Sequence, residues 1–250
     1  MRHRRVAVTV ACTVLTAASV AMYSGTASGS PGTAPERGAG CSAVYMIVAR
    51  GTTEPPGEGA TASLVRRIKR ATRQPIEDVA VDYPAVAQAP GDTHSSVGAY
   101  AASSSRGAAA VRNMLTAEAG RCPHQKIVML GYSQGAQVIG DAVAGGGGGV
   151  LGPQTAPVPA AVTEHVVAMI QMGDPRHMVG QPFDVGSSRR DGMFPRTANQ
   201  QLTPFSSRIR SYCDTGDTFC DRGRVFPVHL TYLIHYSDDA TRFVVGAIGG

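Results

Sequence analysis

Short apolar runs alternate with longer amphipathic segments from residue 42 to the end of the chain. The runs have the length of buried strands, and the segments between them have apolar residues at helical spacing. The runs that we expect to be strands are 42–50, 77–84, 126–130, 164–173 and 208–213. The segments that we expect to be helices are 60–73, 98–118, 134–144 and 230–248, the last with Ile234, Ala240 and Phe243 near one side. Strands that alternate with helices predict a three-layer α/β/α sandwich around a central, mostly parallel sheet.

The first thirty residues have a different pattern: a basic cluster, an apolar stretch and then small residues. This order is typical of a secretory leader over 1–30, with cleavage near 27–30. The alternative is a membrane anchor, but the apolar stretch over 6–22 is short for a span and contains Thr and Ser. Residues 31–40 predict a disordered lead-in, and 41–250 a single folded domain. We therefore expect a secreted, extracellular protein without stable membrane insertion.

The composition favours a globular protein and argues against nucleic-acid binding. The 250 residues are 43% hydrophobic and 16% charged, with a formal net charge of +5. The charge falls to +2 once Arg2, Arg4 and Arg5 leave with the leader. The remaining basic residues are scattered, and aromatic residues make up only 6% of the chain. Neither a basic patch nor a stacking platform for bases is indicated.

Four cysteines remain after the leader, since Cys12 lies within it. They are Cys41, Cys122, Cys213 and Cys220. An even number in an exported chain favours two disulfides. The alternative, a metal site, lacks a C-x-x-C pair or a close histidine partner. We expect no metal and no organic cofactor.

The segment GYSQGA at 131–136 places Ser133 between a predicted strand and a predicted helix. A tight turn at such a junction exposes a serine above the sheet edge, as a nucleophile requires. The next backbone N–H, that of Gln134, lies at the helix N-terminus, where it can stabilise an oxyanion. The alternative is a purely structural turn serine. The glycine run 145–149 follows a helix instead of opening one, so it predicts a flexible surface connection and not a phosphate cradle.

A serine nucleophile needs a histidine base, which follows the acid in the chain on this type of fold. His229 is favoured because it lies in a predicted loop before the last helix. His165 begins a predicted strand, and His235 lies inside the last helix. His177, in the segment 173–177, remains a rival.

The acid that orients the histidine is expected on a short ring closed by Cys213 and Cys220. Closing such a ring removes roughly 2–3 kcal/mol of unfolded-chain entropy and holds its carboxylates still. Asp217 is favoured, and Asp214 and Asp174 remain alternatives.

Together these segments resemble the cutinase family of serine esterases. The resemblance rests on four segments: GYSQGA at 131–136, CDTGDTFC at 213–220, His229-Leu230 and ARGTTE at 49–54. It extends from Cys41 to the C-terminus. It implies a small, lidless α/β-hydrolase fold.

The resemblance further implies a catalytic triad of Ser133, Asp217 and His229. It pairs the cysteines as Cys41–Cys122 and Cys213–Cys220. It also places the backbone N–H and hydroxyl of Thr52 beside Gln134 in the oxyanion hole, a choice over the neighbouring threonine that spacing alone does not make.

The sequence favours two different substrates within this family. Ala136 has the cutinase form, whereas MGDPRH at 172–177 with PFDVG at 182–186 resembles the acetylxylan esterase branch. We expect a secreted serine carboxylester hydrolase that acts through an acyl-enzyme on cutin-like polyesters and short-chain acyl esters. The alternatives are an acetylxylan esterase and, from another class, a non-catalytic binding module with a vestigial triad. We expect an ester as its partner, and a monomer.

Overall fold

A computed structural model describes residues 40–87 and 95–249 of the chain. Its sheet has six strands, all parallel, in the order β2-β1-β3-β4-β6-β5. The strands are β1 Val44–Ala49, β2 Ile76–Ala80, β3 Lys126–Tyr132, β4 Val166–Met172, β5 Asp184–Val185 and β6 Ile209–Tyr212. The predicted leader and all but the last residue of the lead-in lie outside the described residues.

Helices cover both faces of this sheet, so the predicted three-layer sandwich is confirmed. The helices are α1 Ala62–Ala71, α2 Ser95–Arg121, α3 Gln134–Ala144, α4 Ala160–Thr163, α5 Phe226–His229 and α6 Tyr232–Ile248. The side chains of α2 and α3 form one core with the sheet, and those of α1 and α6 form the other. No helix in the described parts of the chain has the length and apolar character needed to cross a membrane.

The central strand β1 shows why the buried strands read as continuous apolar runs. Val44, Met46 and Val48 point into the core with α1 and α6. Tyr45 and Ile47 point into the core with α2 and α3. Successive side chains of a strand point to opposite faces, and both faces here are covered. A polar side chain at an alternate position of β1 would therefore be buried, with no water to hydrogen-bond.

The apolar face of α6 differs from the prediction. Ile234 is 79% exposed, whereas Tyr232, Ala240 and Val244 are fully buried. Phe243 packs at the edge of the core, partly buried. The physical reason is the helical period, because a step of six residues turns about 240° and places Ile234 on the other side from Ala240.

Strand β2 ends earlier than predicted, at Ala80 instead of 84. Val81 still donates its N–H to the carbonyl oxygen of Val48 at 2.8 Å, but the carbonyl oxygens that follow Ala80 face a buried arginine instead of a strand. Arg50 donates to the carbonyl oxygens of Val81 (3.2 Å) and Tyr83 (2.5 Å).

The sequence predicted a flexible surface connection at the glycine run 145–149, but only part of this run lies at the surface. Gly145 and Gly146 are buried. The carbonyl oxygen of Gly146 accepts hydrogen bonds from Gln200 Nε2 (2.7 Å) and the backbone N–H of Thr155 (2.9 Å). These bonds hold the start of the run against the body of the domain.

Candidate active site

Ser133 lies on a strained turn between β3 and α3. Its φ of 55° and ψ of −121° are values that L-residues with side chains rarely adopt. Two glycines let the strand and the helix approach each other at this turn. A Cβ on Gly135 would lie 2.0 Å from the carbonyl oxygen of Ala49, and one on Gly131 would lie 2.5 Å from that of Gly135. The turn therefore places Ser133 at the carboxyl edge of the sheet.

The structure brings Ser133, His229 and Asp217 into one hydrogen-bonded chain. The Oγ of Ser133 lies 2.9 Å from Nε2 of His229, and Nδ1 of His229 lies 2.8 Å from Oδ2 of Asp217. All three are buried, with Asp217 fully enclosed. His229 ends the one-turn helix α5, which differs from the loop that the sequence predicted. Pro227 at the start of α5 suits a short helix because its missing N–H has no helical partner there.

Asp217 is held by three donors besides the imidazole. Its Oδ1 accepts the backbone N–H groups of Phe219 (2.6 Å) and Cys220 (3.0 Å). Its Oδ2 accepts the hydroxyl of Tyr232 at 2.7 Å. Burial by itself would raise the pKa of Asp217, but the hydrogen bonds from His229, Tyr232 and Cys220 keep that pKa below its ordinary value. The carboxylate is therefore ionised and fixed in orientation.

The imidazole of His229 is enclosed by aromatic side chains. The ring of Tyr132 stacks on it at 5.2 Å and 29°, and the ring of Phe219 meets it edge-on at 4.6 Å. The hydroxyl of Tyr132 also donates to the carbonyl oxygen of His229 at 2.9 Å. These contacts fix both the ring and the backbone of the histidine.

Both disulfides implied by the resemblance are present, Cys41–Cys122 and Cys213–Cys220. The side chain of Asp221, the residue after Cys220, also stabilises the ring that the disulfide Cys213–Cys220 closes. The buried carboxylate of Asp221 accepts the N–H of Gly216 (2.8 Å), the hydroxyl of Ser188 (2.7 Å) and the guanidinium of Arg190 (3.1 Å). Although burial opposes ionisation, these donors lower the pKa of Asp221 to about 2.

The depressed pKa of Asp221 predicts a loss of stability in acid. A carboxylate with a lowered folded-state pKa stabilises the fold above its unfolded pKa, about 3.9, and this contribution disappears as the pH falls through about 2. In Asp221→Asn this part of the pH dependence should vanish, so the free energy of unfolding should fall less steeply between about pH 4 and 2. Urea unfolding at several pH values measures it, with Asp238→Asn, an exposed carboxylate on α6, as the control. An unchanged acid slope in Asp221→Asn would contradict the prediction.

Gln134 directly follows Ser133 as the first residue of α3. Thr52 and Ser133 line the same cavity. Thr53 is excluded as the donor because its N–H already bonds to the carbonyl oxygen of Ala85 at 2.8 Å. Within the described residues, neither Thr52 nor Gln134 donates a backbone hydrogen bond. No backbone acceptor in the described part of the chain competes for either N–H group.

The loop that carries Thr52 is fixed by a partly buried hydrogen-bond network. Glu54 accepts the N–H groups of Gly51 (2.5 Å) and Ala60 (2.8 Å). The Nε of Arg50 donates to the carbonyl oxygen of Glu54 at 2.9 Å. A fixed loop keeps the N–H of Thr52 in place without rearrangement during a reaction.

The two rival carboxylates are engaged elsewhere. Asp214 accepts the hydroxyl of Tyr236 at 2.8 Å, and Asp174 accepts the guanidinium of Arg196 at 3.2 Å. Neither carboxylate contacts His229.

The rival histidines also lie away from Ser133. His177 is 4% exposed, and its Nδ1 lies 3.8 Å from the carboxylate of Asp184. His165 lies just before β4, at the amino edge of the sheet, and His235 is exposed on α6.

A cavity of about 380 Å³ opens beside Ser133 and His229. Most of its wall is apolar. The apolar residues that line it are Ala87, Pro175, Met193, Phe194, Phe219, Phe226 and Leu230. In the described residues, no three His, Cys, Asp or Glu side chains are grouped so as to hold a metal ion. Ser133, His229 and Asp217 thus form a hydrogen-bonded chain next to an apolar cavity.

Comparison with known proteins relates this site to a family of esterases. The family model described as Cutinase matches residues 40–248. Acetylxylan esterase 2 of Talaromyces purpureogenus is 32% identical over 211 residues, which cover 84% of this chain and 88% of the relative. Cutinase 11 of Verticillium dahliae is 34% identical over 206 residues, which cover 82% of this chain and 68% of the relative.

A solved structure of an acetylxylan esterase at 0.90 Å resolution is similar along the same part of the chain. It superposes with a TM-score of 0.74 at 31% identity, covering 84% of this chain and 100% of the other. Acetylxylan esterases and cutinases are thus similar to this chain to a comparable degree.

Proposed function

The chain belongs to the cutinase family of carboxylesterases, and from this premise we propose that it is a secreted cutinase-type hydrolase of cutin-like polyesters and short-chain acyl esters. The observation that carries the proposal is the apolar cavity beside Ser133. Its volume of about 380 Å³ equals roughly a dozen water volumes, far more than one acetyl group fills. Aromatic and aliphatic walls favour an alkyl chain over a hydroxyl-rich sugar.

In the proposed mechanism, His229 takes the proton of Ser133 while its Oγ attacks the ester carbonyl. The distance of 2.9 Å between Nε2 and Oγ suits this transfer. Asp217 holds the imidazole in the tautomer that leaves Nε2 free to accept, and stabilises the imidazolium that forms.

The tetrahedral intermediate would place its oxyanion between the N–H groups of Thr52 and Gln134. The hydroxyl of Thr52 would add a third donor. The imidazolium of His229 then gives its proton to the leaving alcohol, and a covalent acyl group remains on Ser133. Water activated by His229 releases the acid and restores the serine. Losing one donor of such a site costs about 3 kcal/mol of barrier.

Labelling with a serine-directed alkyl phosphonate tests the role of Ser133. We expect one equivalent of label, located at Ser133 by peptide mass spectrometry, and none in Ser133→Ala. A Ser133→Cys variant that folds but hydrolyses esters poorly would serve as a second check on the nucleophile. Failure of the wild-type protein to react would support a vestigial triad and refute the esterase mechanism.

Acyl-chain preference separates the two candidate substrates. The second candidate, an acetylxylan esterase, is favoured by the relatives of that name and their matching fold. We expect kcat/KM on p-nitrophenyl esters to rise from acetate to butyrate or longer, and release of acid from cutin. A strict preference for acetate, together with deacetylation of xylan, would establish the second candidate instead.

Phe226 should contribute to binding of the acyl chain. It is 51% exposed and lines the cavity, so Phe226→Ala removes apolar surface that a longer chain would cover. We expect a loss of about 1 kcal/mol, or roughly fivefold in kcat/KM, on an octanoyl ester. The acetyl ester should change less than about twofold. Val179→Ala, at a residue 40% exposed outside the cavity wall, is the matched control. Equal losses on both esters would contradict an acyl-binding role.

Export of the protein is part of the same proposal. The two disulfides are of the kind that persist in oxidising compartments. We propose that the chain acts outside the cell as a monomer, with the ester as its only required partner. Mass spectrometry of the mature N-terminus in culture medium, and light scattering of the purified protein, test these two points.

A further inference from the structure

Tyr232 lies at the start of α6 and contacts the acid of the candidate triad. Its side chain is completely buried. Its hydroxyl donates to Oδ2 of Asp217 at 2.7 Å, the same oxygen that faces Nδ1 of His229 at 2.8 Å. One carboxylate oxygen therefore serves two donors.

The hydroxyl of Tyr232 is itself fixed in position. The backbone N–H of Asp214 donates to it at 3.1 Å, and the sulfur of Cys220 lies 3.1 Å away. Since its one proton goes to Asp217, the hydroxyl accepts from Asp214 and gives to Asp217. Burial, together with the charge of Asp217, raises the pKa of Tyr232, so the donor stays protonated throughout the working range.

A glycine allows the rings of Tyr232 and His229 to share this space. Gly173 follows β4 with a φ of 65°. A Cβ there would lie 2.7 Å from the imidazole and 3.1 Å from the ring of Tyr232. The two aromatic rings thus contact the same glycine, edge to face, with centroids 6.2 Å apart.

We propose that Tyr232 is a positioning residue that sets the lower pH limit of catalysis by sharing Oδ2 of Asp217 with His229. The proposal rests on the proposed triad. A hydrogen bond to a carboxylate disperses its negative charge, so the imidazolium of His229 gains less from Asp217 while the hydroxyl is present. Without the hydroxyl, the imidazolium is more stable, and a higher pH is needed to free Nε2 as a base.

The other charged and titratable groups around this contact have partners besides the hydroxyl of Tyr232. Asp214 is bound by Tyr236, from the next turn of α6, and by the hydroxyl of Ser187 at 3.0 Å. Tyr132, from β3, faces the other side of the imidazole. Asp217 keeps its two backbone donors on Oδ1, so its orientation is preserved.

The test is the pH dependence of kcat/KM for Tyr232→Phe on a soluble short-chain ester. We expect the acidic limb to move upward by roughly half to one pH unit, with the plateau changed by less than about threefold. Tyr236→Phe is the matched control, because it removes a tyrosine–aspartate hydrogen bond one turn later that does not involve Asp217. Its acidic limb should stay where it is in the wild type.

The rate of phosphonate labelling, measured as a function of pH, is a second measure of the acidic limb. It depends on the free base but not on release of product. Thermal unfolding shows whether each variant is folded, and Tyr232→Leu, which also lacks the hydroxyl, repeats the test with another side chain. An unchanged limb in folded Tyr232→Phe, or an equal shift in Tyr236→Phe, would overturn the proposal. A wild-type protein that takes no label would refute the triad instead.

Discussion

Asp217→Asn should lower kcat about 10⁴-fold while leaving the fold intact. The surroundings of Asp217 decide how an asparagine would lie. The N–H groups of Phe219 and Cys220 require an oxygen at the Oδ1 position. Two fixed backbone donors outweigh the single hydroxyl of Tyr232, whose proton can rotate away, so the amide NH₂ should occupy the Oδ2 position and donate to Nδ1 of His229. That tautomer carries its proton on Nε2, which can no longer accept the proton of Ser133.

Steady-state hydrolysis of a p-nitrophenyl ester measures this loss, and KM should change little because Asp217 lies outside the cavity wall. Asp214→Asn is the matched control. It changes a carboxylate on the same disulfide ring that binds Ser187 and Tyr236 and does not touch His229. We expect its kcat within about threefold of the wild type. Comparable losses in the two variants would mean that the ring and not the tautomer limits the rate.

The residues of the candidate triad were predictable because each has a local signal in the sequence. Ser133 lies between two glycines at a strand-to-helix junction, and the structure shows the close approach that those glycines permit. Asp217 lies between two cysteines that form a disulfide. His229 lies just before a clear helical pattern. The roles of these three as catalytic residues remain predictions.

Tyr232 lacked such a signal, although it is only three residues after His229. As the first residue of α6 it fits the apolar helix pattern, and its hydroxyl meets Asp217 only because the ring closed by Cys213 and Cys220 folds back onto the helix. The two-residue strand β5 was missed for a different reason. A strand so short has no measurable periodicity.

A buried ion-pair network behind the cavity was also not predictable from the sequence. Arg196 donates to Asp141 at 2.7 Å and to Asp174 at 3.2 Å, and Arg176 donates to the same oxygen of Asp141 at 3.0 Å. These partners are 22 to 55 residues apart in the chain. Charged side chains at such separations give no periodic pattern, and only the folded chain brings them together.

This network supports the wall of the cavity as well as the core. The Nε of Arg176 donates to the carbonyl oxygen of Phe194 at 3.3 Å, and the N–H of Phe194 donates to the carbonyl oxygen of Pro175 at 2.9 Å. Both Phe194 and Pro175 line the cavity. A substitution that disrupts these ion pairs should therefore also alter the proposed acyl-binding surface at Phe194 and Pro175.

Arg196→Met should lower the free energy of unfolding by about 3–5 kcal/mol. The change removes a cation that is 5% exposed and leaves the carboxylate of Asp174 with the amide of Gln171 as its remaining side-chain donor. An ionised group in that position keeps its desolvation cost without the compensating charge. Urea unfolding measures the loss, and a rise in KM for longer acyl esters should accompany it in the folded protein.

Arg242→Met is the matched control, since that side chain is 72% exposed and its pair with Asp239 spans 3.4 Å. Exposed pairs contribute at most about 1 kcal/mol, so a loss in Arg196→Met no larger than in Arg242→Met would show that the buried network does not stabilise the fold.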